Sequence, residues 1–246
     1  MHYVRTGEMI HSGIRLLKKL TGEDQNRAFV WLLGYSSHVV ADVTIHPIVE
    51  LKVGEYETNK TAHRTCEMNQ DAYIYAQRIN KSGIAVSQHL KSGIGFCGDV
   101  HNPGNLDMVI ATFWTDMLKE VYPDDFVANP PNVHEWHRGF QRIVDSLSAA
   151  SGRLFPFARH VAANVGLTYP DTSEVDPQFI NGLKTPEEIM DYNLIFDAAV
   201  ENTKSVWELI ASGVFHNDTA YQSKIGDWNL DTDKDKNDQF GFWRQA

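Results

Sequence analysis

The sequence predicts an all-α protein. Apolar residues recur at helical spacing along most of the chain, proline and glycine interrupt that pattern at loop-like intervals, and alternating runs of β-branched residues are scarce. The first helix is expected over residues 7–20, where Ile10, Ile14 and Leu17 form an apolar stripe widened by Leu16 and Leu20. Lys18 and Lys19 suit the carboxyl end of its dipole, Gly13 weakens it, and Thr21-Gly22 ends it. Residues 24–46 read as a long helix that is apolar nearly all round at its centre, hence buried, and is stopped by Pro47. A connecting loop over 48–60 and a helix over 61–80 follow. Residues 92–104 are dense in glycine and read as a loop. Further helices are expected over 105–121, 132–150 and 153–164, with a break at 123–131 and a long loop over 166–185. Thr185-Pro186-Glu187-Glu188 combines a capping residue, a proline at the first helical position and first-turn acids, and so predicts a helix running to about Ser212. The expected organisation is one helical domain over 1–225 and a polar tail with exposed aromatics over 226–246.

Composition bounds the function. With 246 residues and 42% hydrophobic content the chain can bury one sizeable core or two small ones, and 22% charged residues is ordinary for a soluble globular protein. A net charge of −10 disfavours binding a polyanion by counterion release and attraction to an anionic membrane. It leaves phosphate-containing substrates open, because a bound divalent metal inverts the local field. Cys66 and Cys97 are too few for a disulfide framework; one bridge and two free thiols are equally compatible. No apolar run approaches the ~20 residues of a membrane span. The start, MHYVRTGEMIHSG, lacks the apolar core of a signal peptide.

The chemistry concentrates in two segments. In S-S-H-V-V-A-D-V-T-I-H-P, His38, Asp42 and His46 are spaced by four, and each such step turns only about 40° around a helix, so the three share a face. Burying two imidazoles and a carboxylate unpaired in an apolar helix would cost several kcal/mol. In H-R-T-C-E, His63 and Glu67 repeat the spacing on the next helix. Facing helices with ligands at this spacing are a recurrent way to build a metal site inside a bundle. Imidazole with carboxylate suits zinc, with iron or manganese as alternatives, and Asp71, one turn further, could orient a ligand imidazole. The rival reading is a buried hydrogen-bonded network without metal.

These two segments together resemble the zinc-dependent phospholipase C family, which includes bacterial phospholipases C and the catalytic domain of glycosylphosphatidylinositol-specific phospholipase D. The same fold serves the zinc nucleases of the S1/P1 type. The H-x-x-x-D-x-x-x-H spacing is closer to the glycosylphosphatidylinositol-specific branch, and the motif match covers about residues 30–71. The resemblance implies an all-α bundle with a cleft holding two or three zinc ions. It assigns His38 to the first zinc, makes Asp42 a bridge between the first and third, and gives His46, His63 and Glu67 to the second. His2 would match a histidine that precedes the motif helix and also binds the first zinc. In the family an N-terminal tryptophan, a histidine and an aspartate precede this stretch, and the present chain starts after them. The expectation is therefore either an N-terminally shortened protein, secreted by family resemblance, or a reduced site in which the second zinc is best preserved and the first is partial.

The function implied is hydrolysis of a phospholipid or other phosphodiester by metal-bound hydroxide. A nuclease on the same scaffold, acting on nucleic acid, is the second reading, and a weakened binding domain that keeps zinc for stability is the third. Other groups read as ordinary: His134, Trp136 and His137 as a half-exposed helix, His101 as a loop histidine, Arg64 as solvated. The alternation of Asp231, Asp233 and Asp235 resembles the start of a calcium loop but lacks its glycine and distal glutamate, and reads as a solvated acidic tail.

Overall fold

A computed structural model describes residues 4–79, 86–153, 169–230 and 232–244. Its helices are α1 (Thr6–Leu17), α2 (Gly22–Val53), α3 (Tyr56–Ile74), α4 (Val86–Gly95), α5 (Met108–Val121), α6 (Pro123–Ala128), α7 (Val133–Arg153), α8 (Tyr192–Phe215) and α9 (Tyr221–Lys224). Among the described residues, extended structure is confined to one antiparallel pair, β1 (Leu183–Lys184) and β2 (Ile189–Met190), and two isolated bridges near the C-terminus. The all-α expectation holds. The helix expected over 153–164 falls, beyond its first residue, outside the described residues. His2 and Asp231 also lie outside them.

The chain folds as two compact units: Met1–Pro47, Leu106–Glu135 and Phe196–Ala246 form one, and Ile48–Asn105 and Trp136–Ile195 the other. The core of the first unit is the apolar stripe of α1 (Met9, Ile10, Ile14, Leu17) together with Leu32, Val39, Val40 and Val43 of α2, Met117 of α5 and Ile210 of α8, all fully buried. Each such side chain contributes about 1.5–3 kcal/mol of burial. The C-terminal segment belongs to this unit. Trp228 and Leu230 are buried, and the Trp243 indole N–H donates to the Thr44 carbonyl at 2.8 Å. This corrects the expectation of a polar tail with exposed aromatics. Its charged residues lie close together in sequence, but the apolar residues between them pack against α1 and α2.

The tail also completes α1. Arg5 offers no side-chain cap; instead Asp227 accepts the Glu8 amide at 2.8 Å, a carboxylate placed at the positive end of the helix. The Thr6 hydroxyl donates to the Trp228 carbonyl at 2.7 Å and accepts the Trp228 amide at 2.9 Å. Gly7 allows this approach: a Cβ there would meet the Gly226 carbonyl oxygen at 2.3 Å.

In the second unit α3 packs its buried face (Cys66, Asn69, Gln70, Ala72) against the segment over 176–180. The Asn69 amide oxygen accepts the Asp176 N–H at 2.9 Å, and the Gln70 amide donates to the Phe179 carbonyl at 3.2 Å. Ile180, Leu183 and Tyr192 are buried in this unit. A π-helical turn, Tyr75–Ile79, extends α3.

Several local expectations fail for identifiable reasons. Pro47 does not stop α2, which continues to Val53 and ends at Gly54, whose φ of +93° is a left-handed conformation favoured by glycine. Proline removes the amide that the Val43 carbonyl would accept. The tail's Trp243 donates to the neighbouring Thr44 carbonyl, which ties the tail to the turn that contains the proline. Most of the expected loop over 48–60 is consequently helical, with α3 already under way at Tyr56 and kinked at Asn59. The centre of α2 is not buried all round, since Val30 is 66% exposed. By length and composition alone α2 is long and apolar enough to cross a membrane, and 39% of its apolar window is buried. Residues 92–95 belong to α4, and α6 occupies the expected break at 123–131.

Thr185-Pro186-Glu187-Glu188 is not a helix start. The Thr185 hydroxyl accepts the amides of Glu187 and Glu188 at 3.2 and 2.9 Å, as a cap would, and also donates to the Glu188 carbonyl at 2.7 Å, closing the turn between β1 and β2. The helix begins at Tyr192 instead. Capping chemistry is shared by helix N-termini and by serine/threonine turns, and here it closes a turn.

Candidate metal centre

The spacing by four in α2 does what helix geometry requires. His38 Nε2 lies 3.4 Å from Asp42 Oδ2, and His46 Nε2 lies 3.8 Å from Asp42 Oδ1, so the carboxylate stands between two imidazoles. The side chains of Asp42 and His46 are 16% exposed, while His38 is half open to solvent. His46 is held from behind: the Leu230 carbonyl accepts from its Nδ1 at 2.9 Å. A carbonyl can only accept, so Nδ1 carries a proton and Nε2 is the ring atom left to meet a cation.

On α3, His63 Nε2 lies 3.4 Å from Glu67 Oε1. The His63 side chain is only 4% exposed, against 36% for Glu67, and the Tyr56 ring meets the imidazole edge-on at 5.0 Å. Asp71 is exposed one turn further along. Two residues passed over in the sequence face this acidic stretch. Burial first, and the charges of Asp71 and Glu67 second, push the Tyr169 phenol up to about 12. Burial likewise holds the Tyr192 phenol well above its ordinary value. Both remain neutral hydrogen-bond donors at any physiological pH. Nothing in their local sequence marks them.

Each unit carries a donor set whose chemistry suits zinc, imidazole with carboxylate: His38, Asp42 and His46 on α2 in the first, with the Nδ1 proton of His46 held by Leu230, and His63 and Glu67 on α3 in the second. The remaining candidates are in neither set. His101 is exposed, its amide bound by Asp99; Arg64 is exposed on α3; Trp136 is 46% exposed, and His137 is buried.

The tail contains the residue most clearly misread. Asp233 is fully buried, at a left-handed φ of 60°, with Oδ1 3.5 Å from His46 Nδ1. It is not part of a solvated acidic run. Asp235 is half-exposed and accepts the amides of Asn237 and Gln239 in a loop turn. Cys66 and Cys97 are thiols and not a disulfide.

An all-helical chain with histidine–carboxylate donor sets at i, i+4 spacing is of the type in which helices carry metal ligands. The chain belongs to the zinc-dependent phospholipase C family, whose family model matches residues 1–124 and so includes α2 and α3. No curated protein and no solved structure matches the chain. Membership supports zinc dependence and a phospholipase C-like function in general.

Proposed function

We propose that the chain hydrolyses a phosphodiester, most readily that of a phospholipid, at a zinc site whose protein ligands are His46, His63 and Glu67, with Asp42 and His38 serving a neighbouring ion. The observation that carries this reading is that α2 and α3 each present imidazole and carboxylate on one face, Asp42 Oδ1 3.8 Å from His46 Nε2 and Glu67 Oε1 3.4 Å from His63 Nε2. Zinc bound there would neutralise charge on non-bridging phosphate oxygens and lower the pKa of water toward about 7, supplying a hydroxide nucleophile at neutral pH. The side chains divide the remaining work. The Leu230 carbonyl holds the His46 Nδ1 proton and so keeps Nε2 free to ligate. Buried His63 supplies a dry wall that strengthens electrostatic interactions. Glu67, the most exposed of the three, marks the side open to substrate. Three protein ligands leave a tetrahedral ion one open position, as catalysis requires.

Two measurements test this reading: zinc content of the purified protein, and phosphate-ester release from phosphatidylcholine vesicles and a chromogenic phosphodiester, before and after chelation. Activity should vanish with chelator and return with zinc. His63→Ala and Glu67→Gln should each cost more than the ~10–100-fold in zinc affinity typical of removing an outer-shell partner. Zinc-loaded protein inert toward phospholipids, model phosphodiesters and single-stranded nucleic acid would refute the proposal.

A further inference from the structure

We propose that Asp233 is a positioning residue for His46, its carboxylate set behind the imidazole so that the charge strengthens Nε2 as a zinc ligand. The inference deepens the metal reading above and rests on it. Asp233 lies far outside the stretch matched by the family model. Nothing about helix spacing predicts it.

Four observations carry it. The carboxylate is fully buried, an arrangement costing several kcal/mol unless a positive or polar group compensates. The group it meets is the distal ring nitrogen of a proposed ligand, Oδ1 to Nδ1 at 3.5 Å. The same nitrogen is bound by the Leu230 carbonyl at 2.9 Å, so one short stretch of tail supplies both the hydrogen bond and the charge. Finally, the backbone is built to present this side chain: the Asp233 amide donates to the Asn229 carbonyl at 2.7 Å, Asn229 and Lys234 pair, and φ is left-handed. A carboxylate placed behind a ligand imidazole fixes its ring orientation and raises its basicity. On this reading the tail is part of the metal site and not an appendage to the fold.

A purely structural role, forming the turn, is the rival explanation, and Asp233→Asn separates the two. Asparagine adopts the left-handed backbone as readily as aspartate and has nearly its shape, so the turn survives while the charge is lost. Zinc affinity is measured on the full chain by competition with a chromophoric chelator, alongside helical content by circular dichroism. Asp233→Asn should retain wild-type helicity and bind zinc about 10–100-fold more weakly. Asp235→Asn, which removes a half-exposed charge from the same loop, should bind as wild type. Equal affinity in wild type and Asp233→Asn, with His46→Ala still abolishing binding, would overturn the positioning role and leave the metal site standing. Wild-type protein that binds no zinc, or His46→Ala that binds as wild type, would overturn both. As a readout independent of any variant, nitrogen NMR of the histidines should show His46 protonated on Nδ1 in the zinc-free chain and ligated through Nε2 with zinc; ligation through Nδ1 would overturn the proposal.

Discussion

Substituting Gly7 by alanine gives a prediction whose sign depends on the tertiary structure. Gly7 is a buried first-turn residue of α1, and by helix propensity alone alanine should stabilise the protein by up to about 1 kcal/mol. The structure gives the opposite sign. A Cβ at this position would lie 2.3 Å from the Gly226 carbonyl oxygen and 2.7 Å from its carbon, both backbone atoms that cannot swing aside as a side-chain tip would. Overpacking of this kind costs about 1–3 kcal/mol. Relieving it moves the tail away from α1 and strains the two hydrogen bonds between Thr6 and Trp228, each worth about 1 kcal/mol. Set against the propensity gain, the net loss is about 2–3 kcal/mol, or a fall in Tm of roughly 5–10 °C for a chain of this size. Gly34→Ala is the internal control. Gly34 is exposed in mid-α2, and an added methyl would meet nothing within 4 Å, so the same substitution should stabilise by about 0.5–1 kcal/mol. Urea titration of both variants and wild type reads the two signs directly. Gly7→Ala as stable as wild type would mean that the tail does not dock on α1 as described.

Two further outcomes follow from burial. The His11 imidazole is held below its ordinary value by burial, partly opposed by its hydrogen bond to the Tyr221 carbonyl. The unfolded chain therefore binds more protons in the window below about 6.5, and stability present above that pH is lost on acidification. His11→Gln should flatten the dependence of Tm on pH between about 5 and 7, and an unchanged slope would remove His11 as its source. Burial, and secondarily the Glu67 charge, push the Cys66 thiol up to about 12, so iodoacetamide at pH 8 should alkylate Cys97 in the folded protein and reach Cys66 only after denaturation. Equal labelling rates in the native state would contradict the buried placement of Cys66.

The helices most legible in the sequence were those whose apolar stripe is later buried: α1, α5 and α8 carry Ile10, Ile14, Ile110, Met117 and Ile210 inward at helical spacing. Boundaries were legible only where the deciding chemistry is local. Asp107 caps α5 through the amides of Val109 and Ile110, within a residue or two of where periodicity alone begins that helix. Pro47 and Thr185 misled because the same local group serves two outcomes: proline is accommodated inside α2, and a hydroxyl that could cap a helix closes a turn between two strands. Of the candidate site, all five residues of the two i, i+4 sets were readable, but not that His38 is open to solvent.

What the sequence by itself determined is everything that follows from a rise and turn per residue: that His38, Asp42 and His46 share one helical face, and that His63 and Glu67 share another. What only the tertiary structure decided is the approach of Leu230 and Asp233 to His46, across 184 residues in the first case. A helix fixes neighbours three and four positions apart by hydrogen-bonded geometry, whereas a tail docks wherever its buried tryptophans and leucine find matching apolar surface, and that surface exists only once the helices have packed.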